Sequence, residues 1–593
     1  MSGAQEKHAM FNNRILCTAT ALILYLVGCP TASAQPEEQV RHQSDELIRL
    51  AVEFHAFRSP LFRSRTWRPT HKTEGLADYS AVRQQQLEGL VRFRERLDAL
   101  DPRSWPVHDQ VDYLLLRSEM DDVYFEQHIL REIETNPSYY VEQAINPIAA
   151  ELRTTVPYGI DKAEAIIAAF NRTGAILDQG RKNIVLNIAA PELASMGIRH
   201  VKDIDAQYAA GAKLFEPYFP ASKRSALKSA ARNAARELAK YGDWMQSNLN
   251  LMKGRANVGK DNMEWYFRRV NFVPWTPDEM LFLGEQEKNR FLMSIEIEET
   301  RNAGLKELTM PTTDEWTEWF RLTYLQTKYW LKDNSLISFH PFIGESYIEQ
   351  GTWQEPFGGL GNRPGLLGFS TEPKPENTKR LFVVPEDHWF TNTYWERTMR
   401  LDPITDYQHS DWPGHYFEAE VTRRNPCPIR ATHMDTGFSQ GWAHYWEEFF
   451  LNMGYPYLRG PRTRELTYNF LLLRAVRVPL DLYLSAGSLT VDEAVQYQID
   501  RVPSMEEHIS RAEVDMYVRW PYQATSYIVG KKQIEQILAE TITANGFSVD
   551  WKSFHDSLLQ YGQIPPALIR WELTGNTDQV DEFWGDPPVP GAQ

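Results

Sequence analysis

Five of the 15 histidines in this 593-residue chain lie between residues 388 and 444. An even distribution would place only about one or two there, and neutral imidazole is a common metal ligand, so the cluster indicates a site of metal-binding type. The five are His388, His409, His415, His433 and His444.

Two of these histidines flank a turn signal in the segment His409-Ser410-Asp411-Trp412-Pro413-Gly414-His415. Six residues rotate a straight helix by about 600°, so the two imidazoles would not share one helix face. Pro413 and Gly414 bend or end a helix. We expect that bend to bring the rings of His409 and His415 to one point, although the spacing alone is a weak motif.

A second helix is predicted from Gln440-Gly441-Trp442-Ala443-His444-Tyr445-Trp446-Glu447. Gln440, His444 and Glu447 stand at positions i, i+4 and i+7, which lie on one face of a helix. Two histidines with an oxygen ligand from a second helix form a catalytic zinc arrangement that leaves room for a water molecule. The sequence therefore predicts that His409, His415 and Gln440 share one site.

From this point the chain resembles the bacterial proteins catalogued as domain of unknown function 885, which look like gluzincin-type zinc metallopeptidases. Their motif runs His-Glu-x-x-Pro-Gly-His and then Glu-Gly-Trp-Ala, and further elements follow in the same order here. Those further elements are Arg474 and Arg477, Asp481, Glu513, Tyr517, Pro521, Gln523-Ala524, Tyr527, Gly530, Phe554-His555-Asp556, Gly562 and Pro565.

The resemblance implies a mainly α, large helical gluzincin-like peptidase fold with a deep cleft and minor irregular or β segments. It also implies zinc as the cofactor and a peptide or small amide as substrate or ligand. The implied metal ligands are His409, His415 and Gln440. The implied catalytic positions are Ser410, Asp411, Glu447, Asp481, Ser485, Tyr517, Gln523 and Tyr527.

This chain departs from the family pattern at positions that carry chemistry. Ser410 replaces the glutamate expected as general base, and loss of such a base typically lowers the rate by about 10²–10⁴. Gln440 replaces the glutamate expected as third zinc ligand, which removes one negative charge. Ser485 and Met516 replace an expected histidine and arginine. The scaffold residues Trp442, Pro413 and Gly414 are retained.

Nearby carboxylates offer a rescue, because Asp411, Glu418 or Glu447 would supply the missing group and His444 would add a ligand. Asp411 is one residue beyond the position of the expected glutamate, which is about 100° around a helix. It would therefore reach the same geometry only with a change of the backbone. Two functions therefore stay open. One is an exported zinc-metallopeptidase-like protein whose active site is impaired. The other is a non-catalytic protein that binds peptides or an envelope partner in the same cleft.

Two other motifs are set aside. Gly437-Phe438-Ser439-Gln440-Gly441 matches the nucleophile elbow of serine hydrolases, but that motif follows a buried apolar strand and the preceding residues are polar. Asp435-Thr436-Gly437 matches the triplet of aspartic proteases, which need a second aspartate to share the proton. No second copy exists, so we interpret the triplet as a turn before a helix.

The formal net charge of −16, with no long run of Lys or Arg, argues against nucleic acid as a partner.

The first 34 residues are predicted to be a secretion signal. Lys7 and Arg14 precede a short apolar stretch and Ala32-Ser33-Ala34 ends it. Leu26-Val27-Gly28-Cys29 also resembles a lipobox, so a lipid at Cys29 would be the one membrane attachment. A periplasmic form and a lipid-anchored form both stay open.

Residues 35–585 are predicted to form a single metallopeptidase-like domain, and residues 586–593 a flexible tail. Helices are expected over residues 40–335 and 406–570. The stretch 336–405 is rich in Gly and Pro, so it is expected to be irregular, with one short strand at Leu381–Val384. Thr276 and Glu279 predict a capping box, and Ser222 a helix cap.

Overall fold

A computed structural model describes residues 37–58, 79–152, 157–344, 346–350, 380–384 and 393–585. The predicted secretion signal, including Cys29, and the predicted tail 586–593 lie outside the described residues. Cys427 is a free cysteine. No helix among the described residues combines the length and apolar character needed to cross a membrane.

The described chain is mainly helical, as the sequence predicted. The first twelve helices are α1 (Glu37–Arg58), α2 (Tyr79–Asp98), α3 (Val107–Phe125), α4 (Glu132–Thr135), α5 (Pro137–Leu152), α6 (Ile160–Asn183), α7 (Pro191–His200), α8 (Ile204–Phe215), α9 (Arg224–Asn248), α10 (Lys260–Arg269), α11 (Pro277–Asn302) and α12 (Thr313–Asp333). The strands β1 (Ser346–Gln350) and β2 (Arg380–Val384) pair in parallel.

The second half continues with eleven helices within residues 393–585. These are α13 (Tyr394–Met399), α14 (Ile404–Ser410), α15 (His415–Thr422), α16 (Pro428–Thr432), α17 (Thr436–Asn452), α18 (Arg462–Ala486), α19 (Val491–Ile499), α20 (Glu507–Arg519), α21 (Ser526–Ala544), α22 (Trp551–Gln560) and α23 (Pro566–Thr574). Helix α13 corrects the expectation of irregular structure up to residue 405, because Thr393 and Glu396 form a capping box there.

Local signals account for several helix boundaries. The Thr276 hydroxyl accepts a hydrogen bond from the Glu279 amide, and the Glu279 carboxylate accepts one from the Thr276 amide. The predicted capping box of α11 is therefore confirmed. The prediction for Ser222 is wrong, because Lys223 is the N-cap of α9 and makes no side-chain cap. A short 3₁₀ turn over residues 221–223 occupies that position instead.

The apolar side chains gather into separate clusters. One cluster draws its members from residues 133–252, chiefly from α5 to α9. Two others involve the C-terminal helices: one is built on α14 to α17 and α22, and the other on α18, α20 and the start of α21. The polar centre described below lies where α14, α15, α17, α18 and α21 meet.

Helices α17 and α21 approach each other closely through glycines. A Cβ atom on Gly530 would lie 1.8 Å from the carbonyl oxygen of Gly437, and one on Gly441 would lie 2.4 Å from the carbonyl carbon of Gly530. Only glycine permits this crossing. It brings the side chains of α17 next to Tyr527 in the first turn of α21.

Candidate functional site

The histidine pair is brought together by the turn between α14 and α15. Helix α14 ends at Ser410 and α15 begins at His415. A Cβ atom on Gly414 would lie 1.9 Å from the carbonyl oxygen of His409, so the chain folds back on itself only with glycine there. The rings of His409 and His415 are 4.7 Å apart, edge to face. The predicted convergence of the two rings is confirmed.

Helix α17 is bonded to this turn through Trp442. The indole Nε1 of Trp442 donates a hydrogen bond of 2.8 Å to the carbonyl oxygen of Pro413. Trp442 is completely buried, so the bond anchors the turn to the helix that carries the other polar residues.

His409 lies against the carboxylate of Glu447. Its Nδ1 is 2.6 Å from Oε1 of Glu447, although the two groups are not aligned for a hydrogen bond. Burial lowers the pKa of His409 to about 3, despite the nearby carboxylate, so the ring is neutral at physiological pH. The side chain of Glu447 is wholly buried.

Glu447 is the centre of a charge network. Its Oε2 contacts Nδ1 of His444 at 2.9 Å, and Arg474 Nη2 is 3.5 Å from Oε1. Burial by itself would raise the pKa of Glu447, but Arg474 and His409 outweigh that effect and lower it below the ordinary value. Glu447 is therefore an anion already bound by three neighbours.

His415 has its own carboxylate partner. Its Nδ1 is 2.8 Å from Oε1 of Glu418, and the Ser439 hydroxyl donates to the same Oε1 at 2.5 Å. Burial raises the pKa of Glu418, while His415 and Ser439 oppose that shift. Each histidine of the pair thus presents Nδ1 to a buried glutamate, which leaves Nε2 as the nitrogen opposite the carboxylate.

The geometry of Ser439 differs from that of a serine hydrolase. Its Oγ is 3.0 Å from Nδ1 of His415, the same nitrogen that faces Glu418, so the ring does not connect the hydroxyl to the carboxylate. Ser439 lies in the first turn of α17, which Asp435 caps by accepting a hydrogen bond from the Phe438 amide. The sequence-based rejection of both motifs agrees with this geometry.

Gln440 lies on the helix that contacts both rings. It follows Ser439, the neighbour of His415, and precedes His444 and Glu447 on one face of α17. Its side chain is nearly buried, and Oε1 has no hydrogen-bond partner among the residues the structure describes. Native proteins rarely leave such an atom unpaired.

The two residues after His409 are oriented within their own helix. The Ser410 hydroxyl donates to Oδ1 of Asp406 at 2.8 Å. Asp411 ends α14, its amide bonding to the carbonyl of Tyr407 and its own carbonyl accepting from the Phe417 amide. Asp411 is fully buried and so helps to close the turn.

Asp481 organises the turn that precedes α21. It accepts hydrogen bonds from the amides of Tyr522 (3.2 Å) and Thr525 (2.8 Å), and the Ser485 hydroxyl donates to it at 3.3 Å. Burial raises the pKa of Asp481 to about 6. Tyr522 has a positive φ of 78°, an uncommon conformation that these bonds hold. Asp481 and Ser485 thereby position the turn that contains Gln523.

Tyr527 connects the histidines to a second buried arginine. Its ring stacks on His409 at 6.0 Å between centroids, and Arg477 lies over the same ring at 4.9 Å. Arg477 contacts the carboxylate of Glu513, which also accepts a hydrogen bond from the Tyr517 hydroxyl. The structure therefore places Tyr527 against His409, and it links Arg477 and Tyr517 to the histidine pair through Tyr527 and Glu513.

The Phe554-His555-Asp556 element has a structural role. His555 contacts the carbonyl of Leu336 through Nδ1 at 2.7 Å and the Tyr445 hydroxyl through Nε2 at 3.0 Å. Asp556 accepts hydrogen bonds from the amide and hydroxyl of Ser338. These contacts join α22 to α17 and to the segment that follows α12.

Sequence reasoning undervalued the partners of the histidines. The sequence indicates Glu418 only as a replacement carboxylate and Ser439 only as a rejected nucleophile. It indicates Glu447 as a catalytic position but assigns neither glutamate as the partner of a histidine. A signal was present, because both His415–Glu418 and His444–Glu447 have i, i+3 spacing on a helix, which places the side chains side by side. Within the described residues, no three His, Cys, Asp or Glu side chains are arranged to hold a metal ion.

The sequence profile of a bacterial family of unknown function, DUF885, matches residues 66–320 and 367–573. None of the curated proteins is significantly similar in sequence. Two solved structures have a similar fold. A "putative lipoprotein of unknown function" from Shewanella oneidensis aligns with a TM-score of 0.60 and 14% identity, over 90% of this chain and 98% of its own. A "putative lipoprotein" from Colwellia psychrerythraea aligns with a TM-score of 0.65 and 15% identity, over 90% of this chain and 99% of its own.

Proposed function

The chain belongs to the bacterial family of unknown function DUF885, and we propose that it is a cell-envelope protein that binds peptide or small amide ligands at the His409–His415 centre. In this proposal the scaffold is of zinc-peptidase type and its hydrolytic chemistry is impaired. One observation carries the proposal: two imidazoles converge at 4.7 Å, while the neighbouring positions that would supply a base and a charged ligand hold Ser410 and Gln440.

The histidine pair keeps one feature of metal-binding histidines. In metal sites a carboxylate commonly contacts the ring nitrogen that faces away from the metal and so orients the imidazole. Glu447 and Glu418 have that relationship to Nδ1 of His409 and His415. This supports the view that the centre descends from a metal site.

The donor set does not fit a tightly held catalytic zinc. Gln440 provides only a neutral amide oxygen, whereas catalytic zinc sites with two histidines usually add a carboxylate. The carboxylates of Glu418 and Glu447 already have charged or hydrogen-bonding partners. Ser410 has a hydroxyl in place of a proton acceptor. We therefore derive no hydrolytic step through zinc.

The same residues are suited to hold an amide. The oxygen of Gln440 accepts an N–H group, and the imidazoles and arginines offer donors to a carbonyl or a carboxylate. His409, His415 and Gln440 are 8%, 6% and 3% exposed, so the proposed ligand contacts the centre with a small group or a chain end. A ligand of this kind is a short peptide or an amide.

An envelope location is part of the proposal. The predicted leader supports export, and two solved structures with a similar fold are each described as a "putative lipoprotein". Cleavage after Ala34 would release the protein into the periplasm, whereas processing at Cys29 would anchor it by a lipid. The mass of the mature N-terminus in the native host distinguishes these products.

Binding and metal assays test the function directly. The leaderless protein is titrated with an N-acetylated tripeptide by calorimetry, and its zinc content is measured at micromolar free zinc. We expect peptide binding that is lost in His409→Ala and retained in His200→Gln, since His200 is a partly buried histidine that bonds to the carbonyl of Met196 in α7. Stoichiometric zinc together with rapid peptide hydrolysis would instead establish an active metallopeptidase and overturn the proposal.

A further inference from the structure

Arg477 is a buried cation whose hydrogen-bonding capacity is only partly used. Its side chain has no exposed surface, and one group, Nη2, contacts Oε2 of Glu513. Its Nε and Nη1 have no hydrogen-bond partner within the described part of the chain. A guanidinium has five N–H groups, and buried donors are almost always paired in native proteins.

Aromatic rings surround this guanidinium but do not replace an acceptor. Arg477 lies 4.9 Å from the ring of Tyr527, 5.6 Å from Tyr517 and 5.9 Å from Trp395. The ring faces stabilise the positive charge. A carboxylate is a stronger partner for N–H groups, since charge-assisted hydrogen bonds are about twice as strong as neutral ones.

The ring of Tyr527 contacts both Arg477 and the histidine centre. It stacks on His409 with an interplanar angle of 13° and lies 4.9 Å from the guanidinium of Arg477. The guanidinium and the histidine pair are therefore linked by one shared neighbour.

We infer that Arg477 binds the carboxylate of the ligand, so that the preferred ligands are peptides that enter by their C-terminal end. The inference rests on the proposed function and specifies its ligand class. Because the centre is nearly buried, it admits a chain end more readily than the middle of an extended peptide. The unpaired donors of Arg477 then select the negatively charged end.

Two buried ion pairs lie near the centre. Arg474 is paired with Glu447 and Arg477 with Glu513, so these four groups sum to zero. A ligand carboxylate would add one negative charge, and the unpaired Nε and Nη1 of Arg477 would be its hydrogen-bond donors. An N-terminal ammonium has no acceptor to offer these donors.

The test compares two probes that differ by one charge: N-acetyl-trialanine as the free acid and as the C-terminal amide. With wild-type protein we expect the acid to bind at least about tenfold more tightly, the size of one charge-assisted hydrogen bond. The charge-neutral double variant Arg477→Gln/Glu513→Gln should bind both probes with similar affinity. The control double variant Arg519→Gln/Glu142→Gln removes a buried ion pair between α20 and α5 and should keep the preference.

The outcomes separate the two proposals. Equal affinity of wild-type protein for the acid and the amide overturns the role of Arg477 and leaves the proposed function standing. Failure of wild-type protein to bind either probe overturns both. If circular dichroism shows that the double variant is unfolded, Arg477→Lys replaces it, and an undiminished acid preference there counts against the inference, since Lys lacks the Nε–H and the fork of donors.

Discussion

Nδ1 of His409 lies 2.6 Å from Oε1 of Glu447, with both side chains almost completely buried. The neutral ring comes from α14 and the anion from the middle of α17, so this contact joins the turn of the histidine pair to the helix that carries Gln440. Glu447 also holds His444 and Arg474. One carboxylate therefore sets the positions of two histidines and an arginine.

Substitution Glu447→Gln should destabilise the fold strongly. The change removes the negative charge that faces Arg474, and breaking a buried pair in this way costs about 3–5 kcal/mol. Urea unfolding followed by circular dichroism measures the loss. The matched control is Glu318→Gln, an exposed residue paired with Arg321, where a change within about 0.5 kcal/mol is expected. A similar small change at Glu447 would show that the network does not support the fold.

The histidine turn and the helical faces were accessible from the sequence because they depend on neighbours in the chain. The Pro413-Gly414 signal predicted the bend. Helix α9 depends on local spacing in the same way, because its apolar residues recur at the helical period and are all buried: Leu227, Ala231, Ala234, Leu238, Tyr241 and Met245. The capping box at Thr276 followed from residues three positions apart. In each case local geometry decides the outcome.

The charge pairs were not accessible in the same way, because tertiary packing selects the partners. Arg477 and Glu513 are separated by 36 positions, and buried Lys531 contacts Glu287 from α11 and Glu448 from α17. Many acidic residues in this chain would satisfy a sequence rule for these cations. Only the arrangement of α11, α17, α18 and α21 identifies which ones do.

Restoring two carboxylates should restore metal affinity. In Ser410→Glu/Gln440→Glu, a base and an anionic oxygen ligand join the histidine pair, which matches the donor set of catalytic zinc sites. We expect zinc content after dialysis against micromolar free zinc to rise to about one equivalent, measured by mass spectrometry of the metal. Adding His409→Ala to this variant should abolish the gain. Zinc content equal to that of wild-type protein would contradict the assignment of the centre.

His555 should make the protein less stable in acid. Burial lowers the pKa of His555 to about 4, below its unfolded value, so the native state binds fewer protons than the unfolded chain as the pH falls from 6.5 to 4. Stability is therefore lost in that window, by about 3 kcal/mol from this residue. Urea unfolding at about pH 7 and pH 4 measures the loss.

The variant His555→Gln isolates this contribution. It removes the titrating ring, so the difference in unfolding free energy between the two pH values should shrink by about the same amount. The comparison uses the change with pH and not the absolute stability, which also falls because the contacts with Tyr445 and Leu336 are altered. An unchanged pH dependence in the variant would show that other groups cause the acid loss.

The crossing of α17 and α21 should not tolerate a methyl group at Gly530. In Gly530→Ala the new Cβ would lie 1.8 Å from the carbonyl oxygen of Gly437, so the helices must separate, and Tyr527 would move away from His409. Overpacking of this kind typically costs about 1–3 kcal/mol. Gly304→Ala is the control, because a Cβ there meets no atom within 4 Å. Thermal unfolding should separate the two variants, and peptide affinity should fall only in Gly530→Ala. If both variants unfold alike and bind alike, close approach of these helices does not position the histidine centre.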